Sequence, residues 1–394
     1  MKNTIYPAFP FSLPFFLDGA TGTELAKRGM KKGDCTERFI LEHPETICAI
    51  QTAYIEAGSD AVLAPTFGAN LPTLERHGFP AEEADEICRR LVEISKENAA
   101  GRAKIGGDLS PTGLLLKPYG DAEPEEIYRI YREEVRSLLT AGVDFIEIET
   151  MISAAETRLA VMAVRDLSAD IPVFVTMTVN ENGRTMNGDS LDAVLVILAQ
   201  YGIQAFGCNC SIGPDVIQKA LTPAAPIARA LGIPLIAKPN AGMPQETESG
   251  TYFPLKPEDM AAYAKDFVNM GAVILGGCCG TTPDHIRAIA EAVRRVDTEV
   301  KIVPAEAEKW VATTRAYAPI DPDAEYTVIT ADDEDTLYDL SDEAEPDDVL
   351  YLELTEGAAE LVISMDAYLT NPIALRGDRK EIEAVKRALC RKVE

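Results

Sequence analysis

Through about residue 296, short apolar runs rich in β-branched residues alternate with longer stretches in which apolar positions recur every three to four residues. The short runs predict strands at Phe15–Gly19, Asp60–Phe67, Lys104–Leu109, Phe145–Thr150, Pro172–Val179, Ala205–Cys210, Pro234–Asn240 and Ala272–Cys279. The longer ones predict helices at Pro44–Ala57, Ala81–Ala99, Pro124–Ala141, Ser190–Gln200, Asp215–Leu231, Pro257–Met270 and Pro283–Val293. Several open with proline, which suits the first helical turn. Eight such strands alternating with helices predict an α/β chain folded as a (β/α)8 TIM barrel. A doubly wound sheet, the competing architecture, would place one site at a switch point. Here the residues with chemistry to offer lie at the C-terminal ends of several separate strands: Asp18, Thr66, Glu149, Cys210, Asn240 and the Cys278-Cys279 pair. A barrel brings all those ends to one mouth.

Beyond Val296 the alternation stops, and an acid-rich stretch runs from Asp332 to Asp348. The expected division is a barrel over residues 1–296, an acidic linker and the start of an appendage over 297–348, and a small α+β C-terminal region over 349–394. Tyr326–Thr330, Val349–Leu354 and Glu360–Ser364 read as strands there, and Arg379–Lys392 as a basic amphipathic helix.

Charge narrows the class of partner. The 394 residues carry a net −27, from 37 basic and 64 acidic side chains, which argues against nucleic acid or anionic lipid. Eight cysteines are too few for a disulfide scaffold in so long a chain, and adjacent Cys278 and Cys279 do not easily bridge to each other. Reduced thiols and a cytoplasmic location are expected. The apolar start, Ile5–Leu17, is interrupted by prolines and lacks a small-residue cleavage pattern, so no signal peptide is expected. No later run is long enough to span a bilayer.

Cys210, Cys278 and Cys279 end two of the predicted strands. If they meet in space, three thiolates make an open zinc site, since structural zinc is normally closed by four protein ligands. An electron-rich site of that kind favours a soft sulfur ligand over water. A thiol bound there would give up its proton near neutral pH and remain a nucleophile for a carbon electrophile. Two other classes compete: a non-catalytic zinc-stabilised binding module, and a thiol-redox protein using Cys278 and Cys279. Both usually rely on Cys-x-x-Cys spacing, which the sequence lacks.

The ordered set Asp18-Gly-Ala-Thr-Gly-Thr23, Thr66-Phe-Gly-Ala-Asn70, Glu149-Thr150, Gly207-Cys-Asn-Cys210, Pro239-Asn-Ala-Gly242 and Gly276-Gly-Cys-Cys-Gly-Thr281 resembles the zinc-dependent homocysteine S-methyltransferases. That family includes the homocysteine module of cobalamin-dependent methionine synthase, betaine-homocysteine methyltransferase and S-methylmethionine-dependent enzymes. The likeness covers roughly residues 12 to 296 and implies a barrel that methylates homocysteine to methionine. It makes Cys210, Cys278 and Cys279 the zinc ligands, while Cys208, at a variable position of the family, packs away from the metal. On a regular strand Cys208 and Cys210 would share a face, so this assignment needs the strand to turn by Asn209. Asp18 and Glu149 match the carboxylates that receive the substrate's amino group, with Glu147 deeper in the barrel. Backbone N–H groups of Gly19 and Ala20 would meet its carboxylate, and Thr66 completes the substrate set. Asn240 either fills the open zinc position through its side-chain oxygen until a thiol displaces it, or simply makes the turn toward Gly242. His43, His77 and His285 are expected to be non-catalytic.

The donor is left open by these motifs. With no Asp-x-His-x-x-Gly segment to ligate cobalt, methylcobalamin would have to come on a separate corrinoid protein, which is the expected donor. Betaine or S-methylmethionine is the alternative. The C-terminal region could dock that protein or build a homodimer interface, or simply stabilise the barrel.

Overall fold

The computed structural model describes residues 8–210, 213–247, 250–296, 309–345 and 348–393. The barrel strands are β1 (Phe15–Phe16), β2 (Ala61–Leu63), β3 (Lys104–Leu109), β4 (Phe145–Met151), β5 (Val173–Met177), β6 (Ala205–Asn209) and β7 (Leu235–Lys238). After a hairpin of β8 (Gln245–Thr247) and β9 (Gly250–Tyr252), β10 (Ala272–Leu275) completes the set. They form one eight-stranded sheet in the order β1-β10-β7-β6-β5-β4-β3-β2. Helices surround it, as the alternating pattern predicts.

Between β1 and β2 no ladder forms, and aspartates span the gap instead. Asp60 N–H donates to the Phe16 carbonyl at 2.7 Å, and its carboxylate accepts the Phe16 N–H at 2.8 Å. Higher up, the Asp18 carboxylate accepts the Leu63 N–H at 2.9 Å. The barrel is thereby almost closed.

Inward positions stack in layers. Phe15, Phe145 and Phe174 form an aromatic bottom layer, against which Phe9 and Phe11 pack from the N-terminal segment. The apolar, proline-broken start of the chain is thus a plug for the barrel, from Phe9 onward; Ile5, Tyr6 and Pro7 lie outside the described residues. Leu17, Leu63, Ile236 and Ile274 lie in the same interior cluster. Charged groups take over toward the C-terminal ends of the strands.

Every expected barrel strand is present, but most end earlier than their apolar runs do. The residues beyond them, including Asp18, Thr66, Asn240 and Cys278, are loop. The helix Ala154–Leu167 was not predicted, and Asp215–Leu231 is two helices, Pro214–Leu221 and Ala224–Leu231, interrupted at Thr222-Pro223. Pro257–Met270 is likewise divided into Pro257–Ala261 and Ala264–Met270.

The start of the expected linker, residues 297–308, lies outside the described residues. A hairpin of β11 (Trp310–Ala312) and β12 (Tyr317–Pro319) then packs Trp310 and Ala312 into the barrel's outer core. Parallel strands β13 (Thr327–Ile329), β14 (Leu350–Leu354) and β15 (Ile373–Gly377) follow, with helices at Glu334–Glu343, Ala358–Ser364 and Arg379–Ala388. They enclose their own core of Ile329, Leu352, Val362, Leu375 and Val385. The expected strand Glu360–Ser364 is therefore a helix, because Ala358, Ala359 and Val362 fall on one helical face toward that core. The third strand lies at β15. The acid-rich stretch carries the helix Glu334–Glu343, anchored by buried Leu337. Arg158 ties the appendage to the barrel by donating to the carbonyls of Arg387 at 2.9 Å and Ala388 at 3.3 Å.

Strand β6 approaches β7 too closely for any side chain at Gly207, where a Cβ would stand 1.9 Å from the Ile236 carbonyl oxygen. Gly207→Ala is expected to destabilise the protein by about 3 kcal/mol, as overpacking against backbone does. Denaturant unfolding checks this; an unchanged midpoint would contradict the packing described.

Candidate functional site

The site begins with a reversal of strand parity at the end of β6. Ala205 faces the barrel interior and Cys208, fully buried, belongs to the cluster between sheet and helices. Continued alternation would send Cys210 outward with Cys208. Instead Cys210 adopts φ 59°, the left-handed region, which turns its sulfur toward the mouth. Thr150 at the end of β4 has the same φ of 59°. Asn209 joins the two turns: its Oδ1 accepts the Thr150 N–H at 2.9 Å, and its Nδ2 donates to Thr150 Oγ1 at 2.8 Å.

The other two cysteines follow β10 on a loop fixed by its own backbone. Gly277 N–H donates to the Asp18 carbonyl at 3.0 Å, and Cys278 N–H to the Pro239 carbonyl at 2.9 Å. Thr281 Oγ1 donates to the Cys278 carbonyl at 2.7 Å. Pro283 and a Thr282–His285 capping box then start the helix Pro283–Arg294, so His285 has a capping role. The three sulfurs of Cys210, Cys278 and Cys279 lie within 4.8 Å of one another, and all three residues are partly exposed. Cys210 Sγ and Cys279 Sγ are 3.8 Å apart. That matches the separation of about 3.8 Å that two sulfurs take up at 2.3 Å from a tetrahedral zinc.

Hydrogen bonding from Cys210 and Cys279, with burial added, holds the Cys278 thiol well above its ordinary range. Contact with Cys210 is the largest cause pushing Cys279 up to about 12. Three crowded sulfurs resist becoming thiolates together, and a divalent cation among them would reverse that preference. Nearby, Asn240 is buried with its Oδ1 lacking any hydrogen-bond partner. Its neighbour Ala241 donates its N–H to the Cys279 carbonyl at 3.0 Å. A donor set of three sulfurs beside an unpaired amide oxygen fits zinc.

Beneath the sulfurs lies a cage of charge. Lys238, on β7 at the inward parity of Ile236, donates from Nζ to Glu147 Oε1 at 2.8 Å and to Glu149 Oε2 at 2.5 Å. Asp18 and Asp108 complete the electrostatic surroundings of Lys238. Burial, opposed by Lys238, pushes Asp18 and Glu147 each up to about 7, and burial with Glu149 lifts Asp108 well above the carboxylate range. Burial lowers the pKa of Lys238, but the four carboxylates outweigh it and the net direction is strongly upward.

Among the expected substrate residues, Asp18 and Glu149 do meet at this cage. Thr66 is fully buried beside it, with its hydroxyl engaged by the Asp108 backbone, donating to the carbonyl and accepting the N–H. Ala20 N–H is committed to Thr281 Oγ1 at 3.0 Å. Of the two N–H groups expected to meet a carboxylate, that of Gly19 is therefore the better placed to do so. Lys238, Asp108 and Asn209 were not anticipated. Their signal was a polar residue inside an apolar strand at the same parity as its inward neighbours.

A barrel whose mouth gathers three cysteine sulfurs beside a carboxylate cage defines a candidate metal centre. Residues 15–293 match the homocysteine S-methyltransferase family, and the chain belongs to that family. It is 32% identical over 295 residues to a methionine synthase of Mycobacterium leprae (strain TN), covering 71% of this chain and 24% of that protein. A methionine synthase of Mycobacterium tuberculosis (strain ATCC 25618 / H37Rv) is 30% identical over 321 residues, covering 75% and 26% respectively. The chain thus spans about a quarter of the length of these relatives. The crystal structure of homocysteine methyltransferase MmuM from Escherichia coli in its metallated form shares the fold, with a TM-score of 0.60 and 24% identity over 70% of this chain and 95% of that one.

Replacing Cys278 by Ala should abolish stoichiometric zinc binding, whereas Cys208→Ala, behind the sheet, should leave it intact. Metal analysis of the purified variants decides; zinc lost from Cys208→Ala or kept by Cys278→Ala contradicts the assigned site.

Proposed function

We propose that this protein transfers a methyl group to the thiol sulfur of homocysteine, giving methionine, with zinc held by Cys210, Cys278 and Cys279. The observation that carries this reading is the three-sulfur cluster directly associated with a buried carboxylate cage at the barrel mouth. Bound zinc would supply one thing: it lowers the proton affinity of the substrate thiol so that the sulfur is nucleophilic near neutral pH. Asn240 Oδ1 is the group we assign to the remaining zinc position in the absence of substrate.

The chain's own residues do the rest. Asp18 and Glu149 receive the substrate ammonium, and the Gly19 N–H is directed to its carboxylate, so the two ends of the amino acid fix the reach of its sulfur. The sulfur's lone pair then forms the new bond to the methyl carbon while the donor departs in line with the bonding electrons. No side chain needs to act as a general base on the methyl group.

For the donor, we propose methylcobalamin presented by a separate corrinoid protein, betaine and S-methylmethionine being the alternatives. Phe67, Leu115, Tyr119, Met186 and Met243 are large apolar side chains left exposed on loops that follow β2, β3, β5 and β7, and Tyr252 is exposed on β9. Those loops border the mouth of a barrel of this kind. Exposed apolar side chains on these loops favour a protein-borne donor, which would cover them. A reducing, cytoplasmic setting is consistent with cysteines that work as metal ligands. Among the described residues no helix is long and apolar enough to cross a membrane.

The experiment is methionine formation by zinc-loaded protein from L-homocysteine with each donor in turn. Methylcobalamin on a corrinoid protein should give product, and Glu149→Gln should raise KM for homocysteine about tenfold, the loss of one charge-assisted contact. Absence of methionine with every donor would overturn the proposal; product from betaine or S-methylmethionine alone would overturn the choice of donor.

A further inference from the structure

Lys238 is a full charge only 2% exposed, and the methyl transfer set out above gives it no task. The fold makes room for it deliberately. On the neighbouring strand end, Gly276 carries no side chain, and a Cβ there would stand 3.2 Å from Lys238 Cγ and 2.8 Å from the Asp18 carbonyl oxygen. The ammonium that this gap admits bridges Glu147 and Glu149.

The bonds to Glu149 are one-sided. Lys238 Nζ at 2.5 Å and Asn209 Nδ2 at 3.3 Å both bind Oε2, so Oε1 is the oxygen left for a ligand's cation. Two further acceptors in the cage, Asp108 Oδ1 and Glu147 Oε2, are buried without a hydrogen-bond partner. One lysine serves four carboxyl groups, and two of their oxygens are left without a donor. An additional ammonium would bring N–H donors to the cage.

We infer that Lys238 is a positioning residue: by clamping Glu149 to Glu147 it fills the deep part of the cage and aims Glu149 Oε1 at the α-ammonium of an amino-acid thiol. This rests on the proposed function and adds the basis of its selectivity: Lys238 makes the site prefer a thiol that carries an amino group over one that does not.

Calorimetric binding of two thiols to the zinc-loaded protein tests it: L-homocysteine, and 4-mercaptobutyrate, which has the same thiol and carboxylate but no amino group. Lys238→Met/Glu147→Gln removes the clamping ammonium together with the deep carboxyl group that it binds. Wild type should prefer homocysteine by at least about tenfold, and the double variant by no more than about threefold, with mercaptobutyrate affinity and zinc content retained. A preference kept at the wild-type level, or an equal loss for both thiols, overturns the role. If neither this variant nor Lys238→Gln/Glu147→Gln folds, Lys238 is a structural residue and the inference fails. Wild type binding neither thiol would defeat the proposed function itself; wild type binding both without preference would defeat only the inference.

Discussion

A single left-handed residue makes the site possible. With Cys208 locked behind the sheet, regular alternation would carry Cys210 outward as well, and the sulfur cluster would have two members. The φ of 59° at Cys210 breaks that alternation. Such a conformation costs a non-glycine residue about 1 kcal/mol or more, so neighbours must hold it. Here Cys210 N–H donates to the Lys238 carbonyl at 3.2 Å, and Asn209, one residue earlier, is tied to the matching turn at Thr150. Three residues before Cys210, β6 approaches β7 too closely for any side chain at Gly207.

The same strand ends carry both halves of the site, which is why sulfur and charge lie together. β7 supplies Lys238 and then Asn240; β4 supplies Glu147 and Glu149; β10 leads directly into Cys278 and Cys279. β7, and β6 with Asn209 and Cys210, therefore reach both the candidate metal centre and the cage. Burial makes the cage demanding, since carboxylates without water need cations or protons as partners. A lysine meets part of that demand, and a ligand's ammonium can meet more.

Much of this was legible in the chain. The strands showed as apolar runs because a barrel buries both faces of its sheet, and the chemically active residues showed because they end those runs. Helix Ala154–Leu167 is almost wholly buried, and its polar residues Glu156, Thr157 and Arg158 lie inside the protein, Arg158 against the appendage, so they do not mark a solvent face. In the appendage, Glu360–Ser364 is a short apolar run of the kind that periodicity cannot assign, and only its surroundings make it helical. Lys238 and Asp108 were hidden for the opposite reason. Each is a charge within an otherwise apolar stretch of strand, and its meaning appears only when the barrel sets it against the others.

The central claim is that the three sulfurs form an open metal centre awaiting a fourth sulfur from an amino-acid thiol. Zinc-edge X-ray absorption of the zinc-loaded protein, recorded before and after L-homocysteine is added, tests that claim most directly. The zinc shell should hold three sulfurs and one lighter atom and become four sulfurs on addition. A shell that already holds four sulfurs, or one that homocysteine leaves unchanged, would contradict it.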